Sequence, residues 1–351
     1  MTLELGRLFL LGFRGERLKP DHWLCQALQQ HLGGVVLFDR NVDASVQNIS
    51  SPEQLKGLTR DLQDAAGGGL IIGIDQEGGQ VCRLKPAAGF PPQPGAKEVA
   101  TAGLVASRAA AERCAALLAD CGITCNFAPV VDIDCDPPCP VIGGLGRSFG
   151  TDAETVAVHA ALWVRALHAQ GLACCLKHFP GHGRARGDTH LGFVDAGSGW
   201  REDELAPYER LIAAGFQDAV MSAHLVLRQL DPAGRPATLS RPILQGLLRE
   251  RLGFRGVICT DDLQMGAIAN EYGYRQAVQQ ALLAGADLLL VGNNLKDQPE
   301  ALTAGVAAIE ELLQEGRITE ARLAASIARV ERLARGPLAD RARNSGLIES
   351  G

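Results

Sequence analysis

Short apolar runs, each ending in a cluster of polar residues, recur along the chain. The run at 8–13 comes first; Gly33-Gly-Val-Val-Leu-Phe38 then closes on Asp39, Arg40 and Asn41, and Leu70-Ile-Ile-Gly-Ile74 closes on Asp75-Gln-Glu-Gly-Gly-Gln80. Gly122-Ile-Thr-Cys-Asn126 leads through Phe-Ala-Pro-Val-Val to Asp132, and Gly171-Leu-Ala-Cys-Cys-Leu176 leads to Lys177 and His178. The same plan returns at Asp218-Ala-Val-Met-Ser222 with His224, at Gly256-Val-Ile-Cys-Thr260 with Asp261 and Asp262, and at Ala286-Asp-Leu-Leu-Leu-Val291 with Asn293. Continuous apolar runs of this length read as strands buried on both faces. Between them lie helical patterns. A Leu55, Leu58, Leu62 stripe predicts a helix over 52–65, capped by Ser51 with Pro52 at its first position. Further helices are expected over 98–119 and 155–170 and within 201–216, 241–252 and 273–285. A last one, capped by Thr319 and striped by Leu323, Ile327 and Val330, runs to Arg335.

Strand and helix thus alternate roughly eight times with short links, and no linker of biased composition interrupts them. That pattern predicts one (β/α)8 barrel of TIM type over 1–336, with a loosely held tail at 337–351. A Gly-x-Gly-x-x-Gly turn after the first strand is missing, which weakens the doubly wound alternative. In such barrels chemistry gathers where the strands end, and here the polar clusters stand there.

Composition changes the picture mainly by exclusion. Over 351 residues, 46% hydrophobic and 21% charged content suits an enzyme with a sizeable core, and the formal charge of −6 argues against nucleic acid or an anionic membrane as partner. The chain shows no apolar run of membrane-spanning length and no signal-peptide core at its start, so a cytoplasmic monomer is expected. The ten cysteines sit mostly in apolar settings, Cys174-Cys175 and Cys259 among them, and read as reduced core residues; Cys135 and Cys139 lack the second pair a zinc finger needs.

The densest chemistry lies in Lys177-His-Phe-Pro-Gly-His-Gly-Arg-Ala-Arg-Gly-Asp-Thr-His190. Pro180, Gly181, Gly183 and Gly187 rule out a helix, so this is a loop following a buried strand. His178 and His182 stand four apart, and with Asp188, His190 and Asp261 they could make a metal site. Pro180-Gly181 between them removes the helical geometry that makes such a pair chelate, so no metal is expected.

Asp75-Gln-Glu-Gly-Gly, Asn126-Phe-Ala-Pro-Val-Val-Asp, Gly146-Arg-Ser-Phe-Gly, Lys177-His-Phe-Pro-Gly-His-Gly, Asp188-Thr-His and Thr260-Asp-Asp-Leu-Gln-Met together resemble glycoside hydrolase family 3, in particular its β-N-acetylglucosaminidases. The likeness runs in order from about 8 to 335. It implies a retaining hydrolase that releases N-acetylglucosamine through a covalent glycosyl-enzyme intermediate, with no cofactor. Carried over by motif, Asp261 is the nucleophile, His190 the acid/base and Asp188 its partner, while Asp75, Arg147, Lys177 and His178 bind the sugar. Family context suggests N-acetylglucosamine linked to anhydro-N-acetylmuramic acid, a muropeptide of cell-wall recycling, as substrate. The residues agree: Asp261 ends a buried strand, Asp262 points elsewhere by alternation, and a histidine held by an aspartate can protonate a leaving oxygen near neutral pH. Met221 and Met265 are expected either in the core or at the pocket wall. A related phosphorylase, with Arg184 and Arg186 attracting phosphate, and a barrel that only binds sugar are the competing readings.

Overall fold

The structure, a computed structural model, describes residues 3–186, 194–196 and 199–337. Among these, eight strands pair in parallel in chain order: β1 Phe9–Gly12, β2 Gly34–Leu37, β3 Ile71–Ile74, β4 Cys125–Asn126, β5 Ala173–Phe179, β6 Ala219–Ser222, β7 Val257–Thr260 and β8 Leu289–Val291. β8 pairs with β1, and a parallel bridge between Cys259 and Leu288 joins β7 to β8, so the sheet closes into a barrel. At the first seam the strands come so close that a Cβ on Gly12 would stand 1.7 Å from the Gly292 carbonyl oxygen.

A helix follows each strand: α1 Trp23–Gln29, α2 Pro52–Ala66, α3 Leu104–Asp120, α4 Ala153–Ala169, α5 Ala206–Ala213, α6 Pro242–Arg251 (wound as a π-helix), α7 Gly266–Ala284 and α8 Ala301–Gln314; α9 Glu320–Arg335 ends the described chain. Ser51, Asp152 and Thr319 cap α2, α4 and α9 by accepting a backbone N–H from the first turn. Two expectations need correcting. The single helix over 98–119 is two, Ala96–Thr101 and α3, because Gly103 between them takes φ 93°, outside the helical range. The helix expected from 273 begins at Gly266 and kinks at Gly273. Of the tail, 338–351 lies outside the described residues.

Strand alternation sorts the core into two bodies. Leu10, Val36, Ile71, Cys125, Cys175, Met221, Cys259 and Leu290 pack inside the barrel, and Val330 and Leu333 of α9 plug its lower end. The alternate residues, such as Leu11, Val35, Ile72, Cys174, Leu176 and Ile258, pack outward against the helices. Three of the ten cysteines therefore fill the barrel interior, and all ten are thiols.

Candidate active site

Alternation also aims the site. The inward row of β3, Ile71 and Gly73, reaches Asp75; that of β5, Ala173 and Cys175, reaches Lys177; that of β7, Val257 and Cys259, reaches Asp261. All three line one cavity of about 320 Å³ at the carboxyl ends of the strands, together with Arg147, His178 and His182. Buried Met221 and Met265 belong to both the core and this wall. Five of the seven residues singled out from the sequence thus converge on one cavity. Asp188 and His190 lie outside the described residues.

The polar groups around the cavity form a charge network. Lys177, 2% exposed, donates from Nζ to Asp75 Oδ1 at 2.7 Å and stands 2.7 Å from Glu77 Oε1. Arg147 grips Glu77 with two bonds of 2.8 Å, from Nε and NH2, and donates from NH1 to the Val141 carbonyl at 2.8 Å. Arg83 reaches Asp75 Oδ2 at 3.3 Å. Burial pushes each carboxyl up, but the cations outweigh it: Lys177 and Arg83 hold Asp75 below the usual range, and Arg147 and Lys177 hold Glu77 at about 2. Burial acts the opposite way on Lys177, yet Asp75 and Glu77 raise it. The site is thus pre-charged and fixed before any ligand arrives.

His178 is steered from below. Its Nδ1 lies 2.7 Å from Asp132 Oδ2 and its Nε2 3.3 Å from Arg147 NH2. An ionised carboxylate only accepts and a guanidinium only donates, so the ring proton sits on Nδ1 and Nε2 accepts. Asp132 also accepts the backbone N–H groups of His178 and His182, the latter at 2.8 Å, and so organises the start of the loop. His182 is packed away from water; burial, then His178, lowers its pKa to about 4. Its Nδ1 lies 3.7 Å from Cys139 Sγ.

The two acids that follow β7 both reach the cavity wall, against the expectation that Asp262 points elsewhere, but they bond differently. Asp261 faces the cavity and accepts the backbone N–H of Asp262 at 2.8 Å. Asp262, though also at the wall, accepts the N–H of Gln264 at 2.9 Å and of Gly292 at 3.0 Å, tying β7 to β8. His224 Nε2 supports the same turn at 2.9 Å from the Asp262 carbonyl oxygen.

Sequence reasoning missed Asp132, Glu77 and Arg83 as working parts of the site. The signal was there, since charged residues just past apolar strands are costly unless paired, but the partners are 46 residues away or more in the case of Asp132–His178 and Glu77–Arg147. Among the described residues, the one group of three whose metal-ligating atoms lie close together is at the opposite end of the barrel, away from His178 and His182.

The chain matches the glycosyl hydrolase family 3 N terminal domain over residues 11–333. It is 38% identical over 290 residues to a β-hexosaminidase of Tolumonas auensis, covering 81% of this chain and 80% of that one. Among solved structures, a glycoside hydrolase family 3 β-N-acetylglucosaminidase from Paenibacillus sp. superposes with TM-score 0.85 at 36% identity, over 95% of this chain but 63% of the longer relative. A β-N-acetylhexosaminidase from Beutenbergia cavernae superposes with TM-score 0.82 at 30% identity, over 94% of this chain and 97% of its own.

Proposed function

The chain belongs to glycosyl hydrolase family 3, and from that premise we propose that it is a β-N-acetylhexosaminidase removing terminal N-acetylglucosamine from β-glycosides by double displacement. The observation that carries this reading is the convergence of Asp75, Lys177 and Asp261 from three separate strands on one cavity. At about 320 Å³ the cavity sits at the low end of ligand sites, about 300–1,000 Å³, which suits one terminal sugar.

In this reading the Asp261 carboxylate attacks the anomeric carbon while His190, oriented by Asp188, protonates the departing oxygen. A covalent glycosyl ester forms. His190 then takes a proton from water, the water attacks the same carbon, and Asp261 leaves with its electron pair, so configuration is retained. Asp75 accepts from sugar hydroxyls, while Lys177, which also holds Asp75, binds the ring together with Arg147 and His178. The finer substrate is N-acetylglucosamine linked to anhydro-N-acetylmuramic acid, in cytoplasmic muropeptide recycling, and the enzyme works without metal.

The acid/base assignment is tested by leaving group. A sugar alkoxide must be protonated as the bond breaks, whereas a nitrophenolate leaves unaided, so His190→Ala should lose most activity on disaccharides and show a phenolate burst on activated aryl glycosides. Asp188→Ala should show a weaker version. Equal losses on both substrates, without a burst, would remove His190 from the reaction. Glycosyl phosphate as the product in phosphate buffer would establish the phosphorylase instead, and a kcat/KM no higher on the anhydromuramyl disaccharide than on chitobiose would remove the recycling substrate.

A further inference from the structure

At the opposite end of the barrel, β5 begins with Ala173 pointing inward and Cys174 pointing outward under the last turn of α4. There His168, Cys174 and Asp218 meet. His168 Nε2 is 2.7 Å from Asp218 Oδ2, Cys174 Sγ is 3.4 Å from the same oxygen, and Sγ is 3.8 Å from the ring nitrogen. The thiol is fully buried, while the His168 and Asp218 side chains are 19% and 13% exposed, which leaves an entry from solvent.

Hydrogen bonding accounts for part of this. Asp218 Oδ2 also takes the Cys174 N–H at 3.0 Å, so the carboxylate staples β5 to the segment before β6. The same contacts also bring a sulfur, a ring nitrogen and a carboxylate oxygen together as a triangle. Tetrahedral zinc, with bonds of about 2.0–2.3 Å, sets its ligand atoms about 3.3–3.6 Å apart. Two edges of the triangle are within a few tenths of that, and only the histidine–aspartate edge must widen.

We propose that His168, Cys174 and Asp218 form a binding site for a thiophilic divalent cation, zinc by its donor set, that clamps α4, β5 and the base of β6 at the end of the barrel away from the cavity. On binding, the Cys174 thiol gives its proton to water and the sulfur bonds the metal. The His168–Asp218 hydrogen bond gives way to metal–nitrogen and metal–oxygen bonds, the proton that Nε2 shared with Asp218 passing through water to Nδ1 so that the ring stays neutral. A thiolate and a carboxylate balance the 2+ charge, so the half-buried centre is neutral, and water takes the fourth position on the exposed side.

Cobalt is the probe. Titrated into reduced, chelator-treated protein, it should give a thiolate-to-cobalt charge-transfer band saturating at one equivalent, which zinc then abolishes; zinc should also raise the melting temperature. Cys174→Ala and His168→Ala should lose the band and the zinc-dependent rise while keeping hydrolysis in chelator, which shows that they fold. Zinc X-ray absorption of the unaltered protein should show one sulfur among nitrogen and oxygen scatterers. No stoichiometric band, a band that survives Cys174→Ala, or a zinc shell without sulfur would each overturn the site.

Discussion

At the scale of single residues the site depends on carboxylates with different tasks. Asp261→Ala should lower kcat/KM by at least about 10³-fold, roughly 4 kcal/mol of activation free energy, with the melting temperature nearly unchanged. Asp262→Ala should do the reverse, because it removes the acceptor for the buried N–H of Gly292 and the partly buried N–H of Gln264, at about 1–3 kcal/mol of stability. Labelling with a fluorinated glycoside and mapping the modified peptide decides between them, and label on Asp262 or Glu77 would sink the assignment. Glu77 should show in stability against pH. Its carboxyl falls from an ordinary 4.5 to about 2 in the fold, so its contribution is complete above about pH 5 and is lost as pH falls through 4.5 towards 2. The shift corresponds to about 3 kcal/mol. Glu77→Gln should flatten that part of a melting-temperature profile and, by leaving Lys177 and Arg147 short of a counter-charge, weaken sugar binding. An unchanged acid limb would show that the pair does not contribute.

At the scale of elements, what could be read from the sequence followed the range of the interactions. Two helix starts were legible because a side-chain cap is local: Ser51 and Thr319 stand out from their neighbours alone, and each accepts the N–H three residues on. Thr319→Ala should cost about 1 kcal/mol, measured by denaturant titration, with kcat untouched. Strand ends and the inward aim of Asp261 were legible because alternation has a fixed period, whereas Asp262, expected to point elsewhere, also reaches the cavity wall. The role of Asp132 was not, since nothing near it in sequence says that a histidine 46 residues later will rest on it. Nor could the sequence show that Arg147 spends its hydrogen bonds on Glu77, Val141 and His178, or that α6 winds as a π-helix. The kink at Gly273 and the break at Gly103 are single-residue choices of φ that helical periodicity on either side conceals.

At the scale of the whole molecule, the cavity and the His168–Cys174–Asp218 cluster occupy opposite ends of one barrel, so hydrolysis and metal binding should separate. Exhaustive chelation should leave kcat and KM unchanged on any substrate; loss of activity that zinc restores would move the metal into the reaction. The closure of the barrel carries a consequence in time. Asp262, beside the proposed nucleophile, is tied to the N–H of Gly292, 30 residues downstream on the far side of the last seam. The ribosome makes the chain from the amino end, so a nascent chain stalled before Leu288 already holds every residue assigned to catalysis, yet it lacks the strand that holds the end of β7 and the helix that plugs the barrel floor. Such a chain is expected to be silent towards a fluorogenic glycoside. Activity should then arrive in one late step of translation, once β8 and α9 have emerged, rather than accumulate as the site residues are added.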